Sequence, residues 1–388
     1  MSASNDRSLR PARVLHLIVP QREGAIGGAD LHVLDLAVAQ QRHGSWQPVI
    51  LAPRAPWGYL ERLRNANLAA VTAPRLRSVL RRLPPEHGIS LVHAHGYEAN
   101  YLLAILRQVS RRWSRLPAVV TAHGWIETTP WLRMKSALDR MSARTADVRI
   151  ASAYAHASRL GVDHASLLVI HNGVPEQASD RLAHLRGERV TLRTLLGIPP
   201  EAFLVGAVGR LSPEKRIDLL LIATGRIAAK RPELRLIVVG GGAQRAALEK
   251  LATRLGIREQ VTFTGLVTDT APVYVALDLL IQPSDTEGTP RTILEAMAHR
   301  VPVIATDVGD VAEVLDHGRA GILTSPNDAG ALADAMVHAL DHPARARERS
   351  ERAYLRYRRH FTIETMRRRV DEGYALAVRE AMHRHVGR

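Results

Sequence analysis

The chain contains no cysteine. That excludes disulfides, thiolate metal sites and a cysteine nucleophile, and it fits a reducing compartment. No apolar run approaches the roughly 18 residues that a membrane-spanning helix needs, so a soluble or peripheral protein is expected. The run Val14 to Val19 is too short for a signal-peptide core and has no small-residue cleavage site after it, so secretion is not expected. Aromatic residues make up 4% of the 388 and do not interleave with the basic stretches, which disfavours a stacking platform for single-stranded nucleic acid. Lysine is scarce as well. Lys135, Lys215, Lys230 and Lys250 are the only four, although Lys and Arg together number 53 against 38 acids. The net charge of +15 and pI near 10.9 direct attention to anionic partners: nucleic acid, anionic membrane or polyanionic substrate. Three motifs are missing too. There is no glycine-rich loop ending in Gly-Lys-Ser or Gly-Lys-Thr, no Gly-x-Ser-x-Gly elbow, and no spaced-glycine dinucleotide fingerprint with its acidic ribose partner.

What is present is alternation. Short apolar strands at 14–19, 49–51, 69–72, 91–93, 118–121, 148–151 and 168–170 alternate with helical periods, including one near Leu76 to Leu83. Such alternation implies a parallel sheet and a doubly wound α/β domain. The plan repeats from Phe203, with strands at 203–208, 234–239, 261–264, 279–282, 302–305 and 322–324. The reading therefore has a first Rossmann-like domain over 1–175, a linker over 176–200 around Pro199-Pro200, and a second Rossmann-like domain over 201–361. A C-terminal helix over 362–388 is expected to cross back to the first domain.

Open parallel sheets bind ligands at the carboxyl ends of their strands, and the chemistry-bearing residues lie there. From Asp285 to Val303 a polar loop follows an apolar strand. Thr289 is a candidate N-cap and Pro290 a candidate first helical residue, so the free amides of the turn would favour a phosphate, with Gly288 allowing close approach. Glu287 precedes this point and Glu295 follows it by about 8 Å of helix at 1.5 Å per residue. Ionised carboxylates accept pairs of hydroxyl donors, so the two acids suit the ends of an extended sugar-bearing ligand; a surface helix with two solvated acids is the competing reading. Arg210 and Lys215 follow the strand 203–208 and could clamp a diphosphate, or be solvated cations. Gly240 to Gly242 permit close backbone approach or a plain turn, and Gly265, Leu266 and Val267 could meet a base edge. In the first half, Gly27 and Gly28 mark a turn that could face a phosphate. His93 and His95 alternate on one strand face, but a metal site would want a third ligand. His123, before Gly124, lies at another strand end.

Taken in order, Gly27-Gly28-Ala29, His93-Ala94-His95-Gly96, Thr121-Ala122-His123-Gly124, Asn172-Gly173-Val174, Gly209-Arg210-Leu211 with Lys215, Val239 to Gly242, Val261 to Gly265, and Glu287 with Glu295 resemble the family 4 retaining glycosyltransferases of GT-B fold. The resemblance spans about Val14 to Asp328. It implies two Rossmann-like domains facing across a cleft, whose closure assembles the site and excludes water. It further implies a nucleotide-diphosphate sugar donor of UDP, GDP or ADP type, no cofactor and no metal. By resemblance Glu287 holds donor-sugar hydroxyls, Glu295 the ribose, and Arg210 and Lys215 the diphosphate. Gly27, Gly28, Gly265, Leu266, Val267, Gly288, Thr289 and Pro290 line the donor, and His123 is the donor-side histidine. The catalytic group is then His123, Glu287, Arg210 and Lys215, with His95, Gly96 and Trp125 on the acceptor side. Three positions depart from the family pattern: Lys215-Arg216 stands where Lys-Gly is usual, Arg300 where a glycine commonly precedes Val-Pro-Val, and Asp310 where a second glycine often follows Gly309.

The expected acceptor is a hydroxyl on a glycan, a lipid-linked glycan or a small molecule, in polysaccharide, glycolipid or envelope glycan synthesis, with no specific nucleic-acid partner. Arg54, Arg62, Arg64, Arg75, Arg77, Arg81, Arg82, Arg107, Arg111, Arg112 and Arg115 make the first domain basic. An anionic membrane surface is therefore a candidate partner, with a cytoplasmic protein peripheral on the inner face; a solvated basic face is the alternative. A nucleotide-sugar epimerase or phosphorylase of similar plan is the enzymatic rival, and a nucleic-acid-binding protein the non-enzymatic one.

Overall fold

The computed structural model describes residues 12–20, 27–53, 55–72, 88–125, 127, 129–160 and 166–386. The expected helix near Leu76 to Leu83, and Arg54, Arg75, Arg77, Arg81 and Arg82, lie outside the described residues. The chain divides into two compact units, Met1–His171 with Ile363–Arg388, and Asn172–Thr362.

In the first unit the strands are β1 Ala12–Ile18, β2 Trp46–Leu51, β3 Ala69–Val71, β4 Ile89–His95, β5 Ala118–Ala122, β6 Val148–Ala151 and β7 Leu167–Val169. They form one parallel sheet in the order β3-β2-β1-β4-β5-β6-β7. Both faces are covered, which is why these strands read as nearly continuous apolar runs. Alternate side chains take opposite sides. Leu15, Val92 and Val120 join one core, whereas Val14, Leu91 and Val119 join another that the C-terminal helix Ile363–Val386 closes with Met366, Val370, Tyr374 and Ala377.

The second unit carries β8 Phe203–Val208, β9 Leu234–Val239, β10 Val261–Gly265, β11 Leu279–Gln282, β12 Val303–Thr306 and β13 Ile322–Thr324, also parallel, in the order β10-β9-β8-β11-β12-β13. In both sheets the chain reverses its direction of progress once, between β1 and β4 and between β8 and β11. The crevice at the carboxyl ends of such a pair is where doubly wound sheets take ligands.

Residues 176–200, read from the sequence as a linker, are folded into the second unit as the helices Ser179–Gly187 and Arg189–Leu195. The anchor is Arg193, buried and saturated. Its Nε and Nη2 donate to the carbonyl of Ala276 at 3.0 and 2.8 Å, Nη1 to those of Pro200 and Ala202 at 2.8 Å each, and Nη2 reaches Asp278 at 2.6 Å. A buried guanidinium that loses its partners costs about 3–5 kcal/mol, so this contact fixes the segment. Mixed charge and the Pro199-Pro200 break marked the segment as a linker, because nothing local marks one arginine as buried.

Candidate active site

The loop after β8 and the loop after β11 meet at the reversal point of the second sheet. Lys215 Nζ lies 2.6 Å from Glu287 Oε1, joining residues 72 positions apart. The same oxygen accepts from Gln282 Nε2 at 2.6 Å and from Ser284 Oγ at 2.7 Å. The Glu287 side chain is only 8% exposed, so its charge is held by three directed donors rather than by water. Gln282 is fixed in turn by Thr292, whose hydroxyl donates to Gln282 Oε1 at 2.9 Å. Gln282, Ser284 and Thr292 were not singled out from the sequence. The signal was available, since they bracket Glu287 at a strand end.

Arg210 stands on the same loop, half-exposed, 3.8 Å from Glu214, which also accepts from Ser212 Oγ at 2.6 Å. The helix expected to open at Pro290 spans Arg291–Ala298, and its N-cap is Pro290 rather than Thr289. Pro290 has ψ 115°, an extended value, so the chain becomes helical one residue later. Thr289 is buried, and its carbonyl accepts from Asn172 Nδ2 at 2.9 Å, which accounts for the Asn172-Gly173 motif. Gly288 is half-buried in the same loop. Glu295 sits one turn into the helix and pairs with Arg291 at 2.7 Å.

Glycines hold these loops together. A Cβ on Gly240 (φ 138°) would lie 1.8 Å from the carbonyl oxygen of Gly209, because the turns after β8 and β9 cross; the amide of Leu211 donates to Gly241 O at 2.8 Å there. The glycine run after β9 is thus required by loop against loop. Gly265 closes the set, accepting from the Gly240 amide at 2.8 Å, with Leu266 exposed and Val267 half-buried beyond it. Gly309 has φ 56°, and a Cβ there would lie 1.9 Å from the carbonyl oxygen of Glu287. Gly309→Ala is therefore expected to cost more than the roughly 1–2 kcal/mol of a left-handed backbone and to shift Glu287. A thermal midpoint and donor affinity both equal to wild type would refute the close approach.

The departures from the family pattern are conformational. Arg216 (φ 50°) and Arg300 (φ 59°) hold the left-handed backbone that glycine would take without strain. Side-chain contacts offset the cost. Arg216 bonds Asp218 at 3.1 Å and Asp285 at 2.9 Å, and Arg300 lies 4.0 Å over the Tyr354 ring. Asp310, at φ −96°, needs no glycine.

In the first unit the reversal point gathers histidines. His16 on β1 pairs in register with His93 on β4, and His95 follows two residues on, all on the face that the C-terminal helix covers. His16 Nε2 lies 2.8 Å from Gln40 Oε1, so it carries the proton, and its bare Nδ1 accepts from His95 Nε2 at 3.0 Å. His95 thereby presents Nδ1 as a lone pair, which has no hydrogen-bond partner among the described residues. His93 is saturated by Tyr374 and Thr121, each at 2.7 Å. His123 stands 4.7 Å from His32 and 5.8 Å from His95, ring centre to ring centre, and its Nε2 also has no described hydrogen-bond partner. Burial holds His16 down at about 4 and His93, His95 and His123 well below the usual imidazole value, so the cluster is neutral.

The third ligand that the sequence seemed to lack is present twice over. One nitrogen each from His16, His93 and His95, or from His32, His95 and His123, lies within 4.8 Å of the others, near enough for a metal ion. In the first group hydrogen bonds occupy His16 and His93; in the second His95 Nδ1 and His123 Nε2 are buried and have no hydrogen-bond partner among the described residues.

Gly124 (φ 109°) holds a close approach, because a Cβ there would meet His156 Nε2 at 2.8 Å. Gly96 (φ 81°) starts the next helix. Gly27 donates its amide to Asp30 at 2.8 Å, so a carboxylate already caps this turn, while Gly28 is exposed. Trp125, expected on the acceptor side, packs into the core of the first unit. It is 6% exposed, and its indole N–H donates to Asp139 at 2.9 Å. No helix among the described residues is long and apolar enough to cross a membrane.

Solved structures share this pair of sheets. The Anabaena protein HepE, solved with UDP and glucose, superposes with TM-score 0.81 at 23% identity, covering 94% of this chain and 99% of that one. The fold is thus the GT-B class of glycosyltransferases. The family assignment follows from sequence matches: residues 26–178 match the model for Glycosyltransferase Family 4, and residues 202–342 the model for glycosyl transferases group 1. The chain belongs to the family 4 glycosyltransferases. A D-inositol 3-phosphate glycosyltransferase of Nocardia farcinica is 31% identical over 308 residues, 74% of this chain and 66% of that protein. D-inositol 3-phosphate glycosyltransferase 2 of Catenulispora acidiphila is 36% identical over 178 residues, 43% of this chain and 42% of that protein. The matches thus span less than two thirds of these relatives.

Proposed function

We propose that the protein transfers a sugar, with retention at the anomeric carbon, from a nucleotide diphosphate to a hydroxyl acceptor. The observation that carries this reading is the Lys215–Glu287 pair, supported by Gln282 and Ser284, at the reversal point of a GT-B second sheet. In the proposal Glu287 turns to the donor-sugar hydroxyls. Lys215 and Arg210 take the charge that develops on the departing diphosphate, and Glu295 takes the ribose. The leaving diphosphate accepts the proton of the incoming hydroxyl. On the first unit, His123 and His95 offer neutral nitrogens to hydroxyl groups, and Gly27, Gly28 and Gly96 allow backbone approach.

A UDP-hexose is the donor to test first, because HepE was solved with UDP-glucose. A polyol phosphate is the acceptor to test first, from the names of the Nocardia and Catenulispora relatives. Glycan and lipid-linked acceptors follow. The basic first unit suits recruitment to an anionic membrane, and the absence of cysteine suits the cytoplasm.

The test is a thermal-shift panel of UDP, GDP and ADP sugars with and without EDTA, followed by acceptor addition. One donor at about 100-fold its Kd is expected to stabilise by about 2.7 kcal/mol, a shift of several degrees. EDTA is expected to leave transfer unchanged, and the free nucleotide diphosphate to accumulate only with acceptor. Release without acceptor would point to an epimerase, and a phosphate requirement to a phosphorylase. Loss of transfer in EDTA, restored by Zn2+, would make His32, His95 and His123 metal ligands.

A further inference from the structure

The helix Pro130–Ala143 packs one face on the first unit and leaves the opposite face open. Ser136, Asp139 and Ala143 are buried; Asp139 accepts from Asn100 at 2.8 Å and from Trp125, and the Tyr101 hydroxyl donates to the carbonyl of Lys135. On the other side, Trp131 is 63% exposed, Met134 46%, Leu138 45% and Met141 63%. At 3.6 residues per turn these four fall within about 80° of arc. Single exposed apolar residues are ordinary, but a stripe along a whole helix is not. The neighbouring helix Tyr97–Val109 also exposes Ile105 and Val109, one and two turns beyond Tyr101.

Charge says what covers it. Arg133 and Arg144 are exposed along one edge of the stripe; Arg140 beside them pairs with Glu127 at 3.0 Å, and Lys135 on the other edge pairs with Glu98 at 3.4 Å, so Arg133 and Arg144 carry the edge's positive charge. The helix's only acid, Asp139, is turned inward. Arg111 and Arg112, also exposed, follow the helix Tyr97–Val109. A second copy seated on this stripe about a twofold axis would set these cations against their own counterparts. A nucleic acid would leave the apolar stripe in water. An anionic bilayer satisfies both, taking Trp, Met and Leu into the boundary between headgroups and acyl chains and the arginines at the phosphates.

We infer that the helix Pro130–Ala143 is an interfacial helix that docks the first unit on an anionic lipid surface through Trp131, Met134, Leu138 and Met141. This names the contact face for the membrane recruitment proposed above. It is read without turnover, so it stands or falls independently of the transfer reaction.

The test is co-sedimentation of the full chain with phosphatidylglycerol–phosphatidylethanolamine vesicles and with phosphatidylcholine vesicles, at low and high salt. Wild type is expected to bind the anionic vesicles only, with a blue shift of tryptophan emission that Trp131→Phe abolishes. The pair Met134→Ser with Leu138→Ser, and the pair Arg133→Glu with Arg144→Glu, are each expected to weaken binding by about tenfold or more. Leu195→Ser, at an exposed position of the second unit, serves as control and is expected to bind as wild type. All replaced residues are exposed, so unchanged circular dichroism should accompany each variant. Full binding by the serine pair would overturn the inference in favour of diffuse electrostatics. No vesicle binding by wild type, or a lipid-free dimer that the serine pair dissolves, would overturn it as well.

Discussion

Lys215→Ala is expected to lower kcat by about 10²–10³, the usual effect of deleting one group that meets developing charge. The donor KM should change much less, because the ammonium acts on charge that appears as the diphosphate departs. Structure and chemistry must be separated, since Lys215 also bonds the buried Glu287 at 2.6 Å. Gln282 and Ser284 keep two donors on that carboxylate in the variant, so the stability lost, read from the thermal midpoint, should fall short of the roughly 3–5 kcal/mol of a buried charge stripped of its partners. Glu287→Gln supplies the complement. It keeps the size of the side chain and loses its charge, and transfer should fall as far as in Lys215→Ala. Turnover within a few fold of wild type in both variants would reduce the pair to a structural ion pair and remove the main support for the donor site.

Much of this site was legible because parallel sheets put their loops at one edge. Arg210, Lys215 and Glu287 each follow an apolar strand, and alternation alone predicts that they share the carboxyl edge. Their meeting at 2.6 Å depends on β8 lying beside β11, which periodicity does not state. The histidine network was less legible for a physical reason. His93 is paired by Tyr374, 281 residues later, so nothing near it announces its partner. His16 lies inside a strand that reads as plain core, and Gln40 inside an amphipathic helix. Arg193 was missed in the same way, since a buried cation looks like a surface one until its carbonyl acceptors are known. Glycine readings split. Gly240 was recognisable as a close-approach position, but the neighbour proved to be the protein's own backbone, and the approach of Gly309 to the Glu287 carbonyl was not foreseen. Arg216 and Arg300 show the converse, left-handed positions hidden under side chains that the backbone disfavours.

The same network makes the first unit sensitive to acid. A histidine whose folded pKa is depressed contributes stability that is complete above the unfolded value of about 6.5 and is lost as pH falls toward the folded value. For His16, held at about 4, the loss across this window is about 3 kcal/mol at 1.36 kcal/mol per unit. His93, His95 and His123 are displaced in the same direction by burial and by one another. Four such groups approach a slope of about 5 kcal/mol per pH unit, against a total stability of about 5–15 kcal/mol for a domain. Buried acids of the unit oppose this. Burial raises Asp371 to about 6 and also raises Asp30, Asp139 and Asp147, so their strain is relieved on acidification. Asp371 offsets roughly one histidine, and its relief starts lower, near pH 6. The net expectation is uptake of protons on unfolding between pH 6.5 and 5. All five tryptophans, at 46, 57, 113, 125 and 131, belong to the first unit, so tryptophan emission follows that unit alone. Urea unfolding read by emission should give a midpoint that falls steeply across this window. Asp371→Asn, which removes the largest opposing acid, should make the fall steeper. A midpoint flat from pH 7 to 5 would mean that the imidazoles are protonated in the folded protein, and with that the neutral His95 and His123 proposed to receive hydroxyl groups would be lost.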